Sequence, residues 1–322
     1  MNFSSNNKIV KRFVVLGNSH LTKVLIQEIK KLFFLSGVIS TSPRKRQLSS
    51  IDLKKFCLRN KIKYLTCDNL NSDKGNRFLK KLNADYVVST WPFILTKKTL
   101  NIPKSIFIGT HPTALPFNRG RHPLHWLICL GIRRSKMSFF KMDAGIDHGP
   151  ILKQTKFKIN PDKCIAKTEK TMIESAKKGL RRILLQIKSG SIQSKNQKHI
   201  NSNYWRKRTI HDVILDPRMD HNVTLRTVNS FSKPYPGAVL IFNEQIFRVR
   251  EARLLPSPSR LKQMEFGRIR KVKGNIVVLR MGNRLIELRL NKKIPSSASK
   301  SNYVFPPTYY MNKKIIKELQ CQ

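Results

Sequence analysis

The feature that most constrains the fold of this chain is an alternation of short apolar runs with amphipathic stretches before residue 112. "RFVVL", "LSGVIST", "IKYLT", "ADYVVST" and "SIFI" predict buried strands, and the stretches between them have the apolar spacing of helices. Strands that alternate with helices build a parallel sheet with crossover helices. We therefore expect an α/β fold with a Rossmann-like parallel sheet. The turn at Gly17 lacks G-x-G-x-x-G, so no nicotinamide or flavin site is expected there.

The pattern changes after one long amphipathic stretch. "IAKTEKTMIESAKKGLRRILLQIKSG" predicts a helix that ends at Gly190, and the polar residues after it predict a linker. The later stretches "PGAVLIFNEQIFRVREARLL", "FGRIRKVKGNIVVLRMG" and "NRLIELRLNKKI" alternate apolar and polar residues, which is typical of a small antiparallel barrel of the OB-like kind. The predicted organisation is an α/β domain (10–190), a linker (191–203), a C-terminal β-barrel domain (204–295) and a tail (296–322).

The charge balance of the chain is strongly basic. Lysine and arginine number 64 against 18 aspartates and glutamates, which gives a formal net charge of +46. Such a field concentrates polyanions and favours a nucleic-acid partner. The same excess is also expected from AT-rich codons that favour Lys, Asn and Ile, so both explanations stay open.

Cysteine usage and hydropathy point to the compartment. The five cysteines are widely separated, without CxxC or Cys/His ligand spacing, which favours reduced thiols over disulfides or a zinc site, and we predict no metal. The N-terminal segment has no apolar core of signal-peptide length, and no run of eighteen apolar residues occurs. We expect a soluble, cytoplasmic protein without a membrane partner.

The stretch "THPTALPFNRGRHPLHW", residues 110–126, gathers scarce imidazoles in a segment broken by proline and glycine. Prolines interrupt helices and sheets, so an ordered loop is expected here. Its first histidine, His111, follows the predicted strand Ser105–Ile108. Ligands of open α/β sheets bind outside the carboxyl ends of strands, which places His111 where chemistry is expected.

Two carboxylates, Asp143 and Asp147, are the only ones between residues 101 and 160, and both lie in "KMDAGIDHGPIL". One interpretation is a His–Asp couple, in which a carboxylate orients an imidazole and favours its protonated form for proton transfer or oxyanion stabilisation. The other is an Asx-turn, since aspartate in a glycine-rich bend often bonds its own backbone. The residues alone leave both open.

These two segments together resemble the formyltransferase family that uses 10-formyltetrahydrofolate. That family has a His-Pro-x-x-Leu-Pro-x-x-Arg-Gly run, then a strand, then a Met-Asp-x-Gly-x-Asp-x-Gly loop. The His and Asp lie 36 positions apart in the family and also here, since 147 − 111 = 36. "YWRKRT" and "SKPYPGAVLIFNEQIFRV" are similar to the linker end and C-terminal barrel of the methionyl-tRNA and amino-sugar members. The matching residues are His111, Pro112, Leu115, Pro116, Arg119, Gly120, Met142, Asp143, Gly145, Asp147 and Gly149.

The resemblance implies a set of site residues. A primary amine attacks the N10-formyl carbon, His111 stabilises the oxyanion and handles a proton, and Asp147 orients His111 and helps to deprotonate the amine. The residues implied for the folate side are Trp91, Phe93, Ile94, Met142, Asp143, Ala144 and Gly145. Those implied for the acceptor side are Gly109, Thr110, Pro112, Arg119, Arg121, Arg44 and Arg46. For Arg119 and Arg121 a structural role in the loop is an equal alternative, and for the run at Arg44–Arg46 the alternative is a solvated loop.

Two departures from the family pattern stand out. Gly109 occupies the position where the family has an Asn that helps to bind the formyl oxygen and the amine, so one oxyanion donor is expected to be missing. "STWPFIL" stands where the family has an aromatic–glycine pair, and Pro92 restricts the backbone there.

Three interpretations of the acceptor follow from the resemblance. The C-terminal barrel, the length and the charge favour initiator methionyl-tRNA, which we expect. "RGRHPLHW" and the short "STSPRKRQLSS" segment favour a nucleotide-linked amino sugar. Gly109 motivates the third, a degenerate folate-binding member with little activity.

Overall fold

The computed structural model describes residues 10–200, 202–295 and 302–307. Most of the predicted tail, 296–322, lies outside them. The chain divides into two compact units, each built from separate stretches. Of the described residues, the first contains 10–120, 135–157, 171–200 and 202–204, and the second contains 121–134, 158–170, 205–295 and 302–307. The sequence predicts consecutive domains instead, with 191–203 as a linker; the structure places that stretch in the first unit and residues 121–134 in the second.

The first unit is organised by a seven-stranded sheet in the order β3-β2-β1-β4-β5-β7-β8. Strands β1 to β5 are mutually parallel, which confirms the α/β prediction. The sheet is parallel-dominated rather than parallel throughout, because β7 runs antiparallel to β5 and pairs His111 with Ser138. The strands of this sheet are β1 (Arg12–Leu16), β2 (Phe34–Ser40), β3 (Tyr64–Thr66), β4 (Tyr86–Ser89), β5 (Ile106–His111), β7 (Arg134–Lys141) and β8 (Ile151–Lys158), and β6 is the short strand Arg119–Gly120.

Local sequence signals explain where the helices begin and end. Ser19 closes a capping box at the start of α1, and the Ser72 hydroxyl accepts from the Gly75 N–H at the start of α3. The long helix α6 ends as predicted, because Gly190 adopts a φ of +74° that other residues rarely adopt. The helices up to this point are α1 (His20–Lys30), α2 (Lys54–Arg59), α3 (Asp73–Lys81), α4 (Lys97–Leu100), α5 (Pro123–Cys129) and α6 (Ile165–Ser189).

The second unit contains a five-stranded antiparallel sheet in the order β10-β11-β14-β13-β12. Its buried face is apolar and includes Phe242, Phe247 and Leu288. The antiparallel prediction is confirmed, whereas closure into an OB-like barrel remains a prediction. The elements from residue 204 onward are β9 (Tyr204–Trp205), whose Tyr204 belongs to the first unit, and then α7 (His221–Ser230), β10 (Ala238–Phe242), β11 (Gln245–Leu255), β12 (Ile269–Lys273), β13 (Ile276–Met281) and β14 (Arg284–Leu290).

The helices of the structure can be compared with the length and hydropathy that a membrane span requires. Within the described residues, none of the helices combines the length and the apolar character needed to span a bilayer.

Candidate active site

The site is centred on His111, the last residue of β5, whose side chain is only 5% exposed. Its Nε2 lies 2.8 Å from the carbonyl oxygen of Asn118, and its Nδ1 lies 3.4 Å from Oδ2 of Asp147. A carbonyl can only accept, so Nε2 carries a proton and donates it to Asn118. In the neutral ring Nδ1 therefore presents its lone pair toward the carboxylate, and only a doubly protonated ring donates on both sides.

Asp147 reaches His111 from a tight loop. Its backbone has a φ of +50°, the left-handed region that few side chains favour. Oδ2 also accepts a hydrogen bond from the Gly120 N–H at 2.9 Å, which holds the carboxylate beside the imidazole. Gly149 allows the loop to close, because a Cβ there would lie 1.8 Å from the carbonyl oxygen of Lys141. The structure thus brings together the two residues that the resemblance assigns to catalysis.

The Asx-turn interpretation applies to the other carboxylate. Oδ1 of Asp143 accepts from the Gly145 N–H at 2.9 Å, and Oδ2 lies 2.8 Å from Nδ1 of His148. Asp143 therefore forms an Asx-turn with Gly145, two residues further along the chain. Asp147 makes the His–Asp couple. Both alternatives raised by the sequence occur, one at each aspartate.

The expected folate side combines apolar side chains with loop backbone. Trp91 and Met142 pack against one apolar cluster of the first unit, and Trp91 meets Phe93 edge-on with ring centroids 5.9 Å apart. Phe93 is 41% exposed and Ile94 63%, so both offer apolar surface to a ligand. The Ile94 carbonyl already accepts from the Asn71 amide at 2.9 Å. Ala144 and Gly145 are exposed on the loop that carries Asp147.

The space at Gly109 is filled. A Cβ built on this residue would lie 2.6 Å from Cζ of Phe140 and 2.8 Å from Cγ of Met142. Phe140 faces Gly109 across the β5–β7 pairing and is 3% exposed. The volume that an Asn side chain would need is therefore occupied by an aromatic ring.

Arg119 is buried, against the expectation that it binds the acceptor. It is 1% exposed, and its guanidinium donates to Gln197 Oε1 at 2.6 Å, to Tyr204 Oη at 3.0 Å and to Nδ1 of His199 at 2.9 Å. This burial favours the structural role of Arg119 over acceptor binding, because its guanidinium already holds Gln197, Tyr204 and His199.

The other predicted acceptor residues differ in what they can offer. The Thr110 hydroxyl donates to the Ser89 carbonyl at 3.0 Å, and the Pro112 carbonyl accepts from the Ser135 hydroxyl at 3.2 Å. Arg121 belongs to the second unit.

Two further predicted arginines follow strand β2. Arg46 forms an ion pair with Asp52 at 3.4 Å, whereas Arg44 is exposed. Strand β2 lies three strands away from β5 in the sheet, about 14 Å at ordinary strand spacing. These arginines lie in or next to the 3-10 turn after β2, not on the segments that carry His111 and Asp147.

A segment that the sequence predicts as linker contributes to the site. We call residues 195–200 and 202–204 the strap. Lys195 pairs through its backbone with Ile151, and Gln197 donates to two carbonyls of the Asp147 loop. The His199 ring stacks on His148, with centroids 4.1 Å apart and planes 3° from parallel. Composition gave no signal for these contacts, because polar residues look alike whether they are solvated or hydrogen-bonded.

Comparison with known proteins decides the family. The model of the formyl transferase family matches residues 11–184, which is more than half of the chain. The chain belongs to the formyl transferase family. The formyltransferase assignment made from the two motifs is confirmed, and the protein is an enzyme of this kind.

The formyltransferase is similar to both curated and solved proteins. A methionyl-tRNA formyltransferase of Thermotoga maritima is 26% identical over 70% of this chain and 74% of its own length. One from Clostridium tetani is 28% identical over 76% and 80%. Among solved structures, WlaRD, a sugar 3N-formyl transferase determined with dTDP and 5-N-formyl-THF, has a TM-score of 0.66 at 18% identity, covering 88% of this chain and 99% of that one. The last comparison shows a shared fold.

Proposed function

We propose that this formyltransferase moves the formyl group of 10-formyltetrahydrofolate to a primary amine, and that methionyl-tRNA is its acceptor. The observation that carries the proposal is the His111–Asp147 pair at the end of β5, with Nδ1 and Oδ2 3.4 Å apart. An imidazole beside a carboxylate is suited to moving a proton between two nitrogen atoms.

The mechanism balances one proton. The amine nitrogen bonds to the formyl carbon to give a tetrahedral intermediate; the bond from that carbon to N10 then breaks, and N10 receives the proton that the amine gives up. Asn118 holds Nε2, so Nδ1 is the ring nitrogen that serves the reaction. Asp147 accepts the amine proton and passes it to Nδ1 of His111, which delivers it to N10 as the bond from N10 to the formyl carbon breaks. The Gly120 N–H keeps the carboxylate in place. Holding both reactants at this pair supplies acceleration by proximity.

Several residues fit the folate co-substrate. The exposed side chains of Phe93 and Ile94 offer an apolar wall, and the loop at Ala144 and Gly145 offers backbone groups close to Asp147. A planar heterocycle needs both kinds of surface. Binding of 5-formyltetrahydrofolate to the purified protein tests this part separately from transfer.

Support for the tRNA acceptor comes from two directions. The curated relatives that align with 70% and 76% of the chain are methionyl-tRNA formyltransferases. The net charge of +46 attracts a polyanion and predicts a strong dependence on salt. We also keep OB-like closure of the second sheet as part of this proposal, because a small barrel of that type suits nucleic-acid binding.

A nucleotide-linked amino sugar is the second candidate. It is favoured by the similarity to the sugar 3N-formyl transferase WlaRD, which covers 99% of that chain. A nucleotide-linked amino sugar is a small molecule, so formyl transfer to it by this protein should depend only weakly on salt.

The deciding experiment incubates the purified protein with 10-formyltetrahydrofolate and either methionyl-tRNA or a panel of nucleotide amino sugars. We expect formyl-methionyl-tRNA, with kcat/KM falling steeply between low and physiological salt. Formylated sugar in place of formylated tRNA would establish the second candidate. Transfer to neither acceptor, with 5-formyltetrahydrofolate still bound, would identify a folate-binding protein without this activity.

A further inference from the structure

The strap places the buried side-chain amide of Gln197 against the backbone of the loop that carries Asp147. Gln197 is 7% exposed. Its Nε2 donates to the carbonyl oxygen of Asp147 at 3.0 Å and to that of Gly149 at 2.7 Å. Its Oε1 accepts from Nη2 of Arg119 at 2.6 Å. One side chain from a distant part of the chain therefore contacts the backbone on both sides of His148.

The chemistry of the partners allows this amide only one orientation. A guanidinium has no acceptor, so Arg119 must face the oxygen of Gln197. Backbone carbonyls have no donor, so Asp147 and Gly149 must face the nitrogen. Turning the amide over would oppose donor to donor and acceptor to acceptor. Arg119 thus determines the orientation in which Gln197 meets the loop.

The loop needs this support because of its backbone geometry. Asp147 has a φ of +50°, which costs free energy for a residue with a side chain. The side chain of Asp147 is held by the N–H of Gly120, and its carbonyl is held by Gln197. Gly120 follows Arg119 in the chain, so one short segment controls both ends of Asp147, directly at the carboxylate and through Gln197 at the backbone.

We infer that Gln197 is a positioning residue for formyl transfer, which holds the Asp147 loop so that the carboxylate stays beside His111. The inference rests on the proposed function, because it assigns Asp147 a part in proton transfer. The amide of Gln197 is buried and bonded to Arg119, Asp147 and Gly149, so it acts through the loop. Its effect is to keep the 3.4 Å approach between Oδ2 and Nδ1 from opening.

Two substitutions separate positioning from mere packing. Gln197→Met keeps the length of the side chain but loses donor and acceptor. Gln197→Glu accepts from Arg119 and keeps that contact, yet as a carboxylate it cannot donate to the loop carbonyls. The same two changes at Gln193, an exposed residue of the preceding segment, serve as matched controls.

Two readouts are taken on the full chain. Amide hydrogen exchange at residues 143–149 reports the loop without any substrate, and we expect it to become about tenfold faster in both Gln197 variants. Steady-state transfer, with the acceptor that the unmodified protein formylates, should show kcat falling about 10- to 100-fold. The KM for 10-formyltetrahydrofolate should stay within about twofold, since catalytic geometry rather than binding is altered.

The outcomes are distinct. Faster loop exchange and a lower kcat in Gln197→Glu, with the Gln193 variants unchanged, establish the positioning role. Unchanged exchange in both Gln197 variants overturns it, and so does faster exchange with full kcat. If the unmodified protein formylates no acceptor, the proposed function fails instead, and the exchange data still decide whether Gln197 holds the loop.

Discussion

The ring of Phe140 lies where a side chain on residue 109 would have to go, since a Cβ on Gly109 would lie 2.6 Å from its Cζ atom. The two residues face each other across neighbouring antiparallel strands. The glycine and the phenylalanine are therefore coupled, and the departure of Gly109 from the family pattern cannot be understood without its neighbour.

Substituting Gly109 alone should not improve the enzyme. Gly109→Asn forces a new side chain against Phe140 and Met142, and we expect a loss of about 1–3 kcal/mol in the free energy of unfolding, with no gain in rate. Gly109→Asn combined with Phe140→Leu should recover part of that loss. Urea unfolding of both single variants and the double variant measures the coupling. Additive losses would contradict a shared space.

Removing the charge of Asp147 should impair the reaction more than the fold. Asp147→Asn can still accept from the Gly120 N–H, and asparagine tolerates the left-handed backbone. It loses the anion beside His111, so kcat/KM should fall about 10²- to 10⁴-fold in formyl transfer assays. Asp162→Asn, at an exposed carboxylate that pairs with Arg133, is the matched control. Full turnover by Asp147→Asn would remove Asp147 from the mechanism.

Arg119 should behave as a structural residue. Arg119→Met leaves Gln197 Oε1 and the Tyr204 hydroxyl without their donor, and we expect unfolding free energy to drop by about 2–4 kcal/mol. Arg44→Met, at an exposed position, should stay within about 0.5 kcal/mol. Thermal or urea unfolding distinguishes the two. An Arg119 variant of normal stability but weakened acceptor binding would return this residue to the acceptor site.

The pH dependence of stability should carry a contribution from His125. Burial, with the nearby Arg208 cation adding to it, lowers the pKa of His125 to about 3, and its Nδ1 donates to the Ser230 carbonyl at 2.7 Å. Between pH 3 and 6.5 the unfolded chain binds a proton there that the folded chain does not. Stability should therefore rise with pH across this window, by about 1.4 kcal/mol for each unit, and level off above it.

The variant His125→Asn isolates that contribution. An asparagine amide can still donate to Ser230 but does not titrate in this range. Unfolding free energies measured from pH 4 to 7 should therefore rise less steeply in the variant than in the unmodified protein. Parallel curves would show that His125 titrates alike in the folded and unfolded chains.

The periodicity of apolar residues predicted the core strands of the first unit, but it did not predict helix α7. The apolar runs of β1, β4 and β5 are buried on both faces, which leaves an unmistakable pattern. Helix α7 was not predicted, because its β-branched and polar residues have low helix propensity. It forms because Asp220 caps it and because Thr224, Thr227 and Val228 are buried.

The site was predictable where motif spacing carries the geometry and not where distant partners do. The resemblance to the family, carried by the motifs around His111 and Asp147, anticipated a pair whose Nδ1 and Oδ2 the structure places 3.4 Å apart. The burial of Arg119 depends on Gln197, which lies 78 residues further along the chain. A hydrogen bond over that separation leaves no local trace in either segment.

The late position of Gln197 has a consequence for synthesis. Fifty residues separate it from Asp147 (197 − 147 = 50). At about 5–20 residues per second, a ribosome needs about 3–10 s to add them. During synthesis, His111 and Asp147 are therefore added to the chain before Gln197, whose amide holds the Asp147 loop. A premature stop within this interval would release a polypeptide with both reactive groups and no means of keeping them in register.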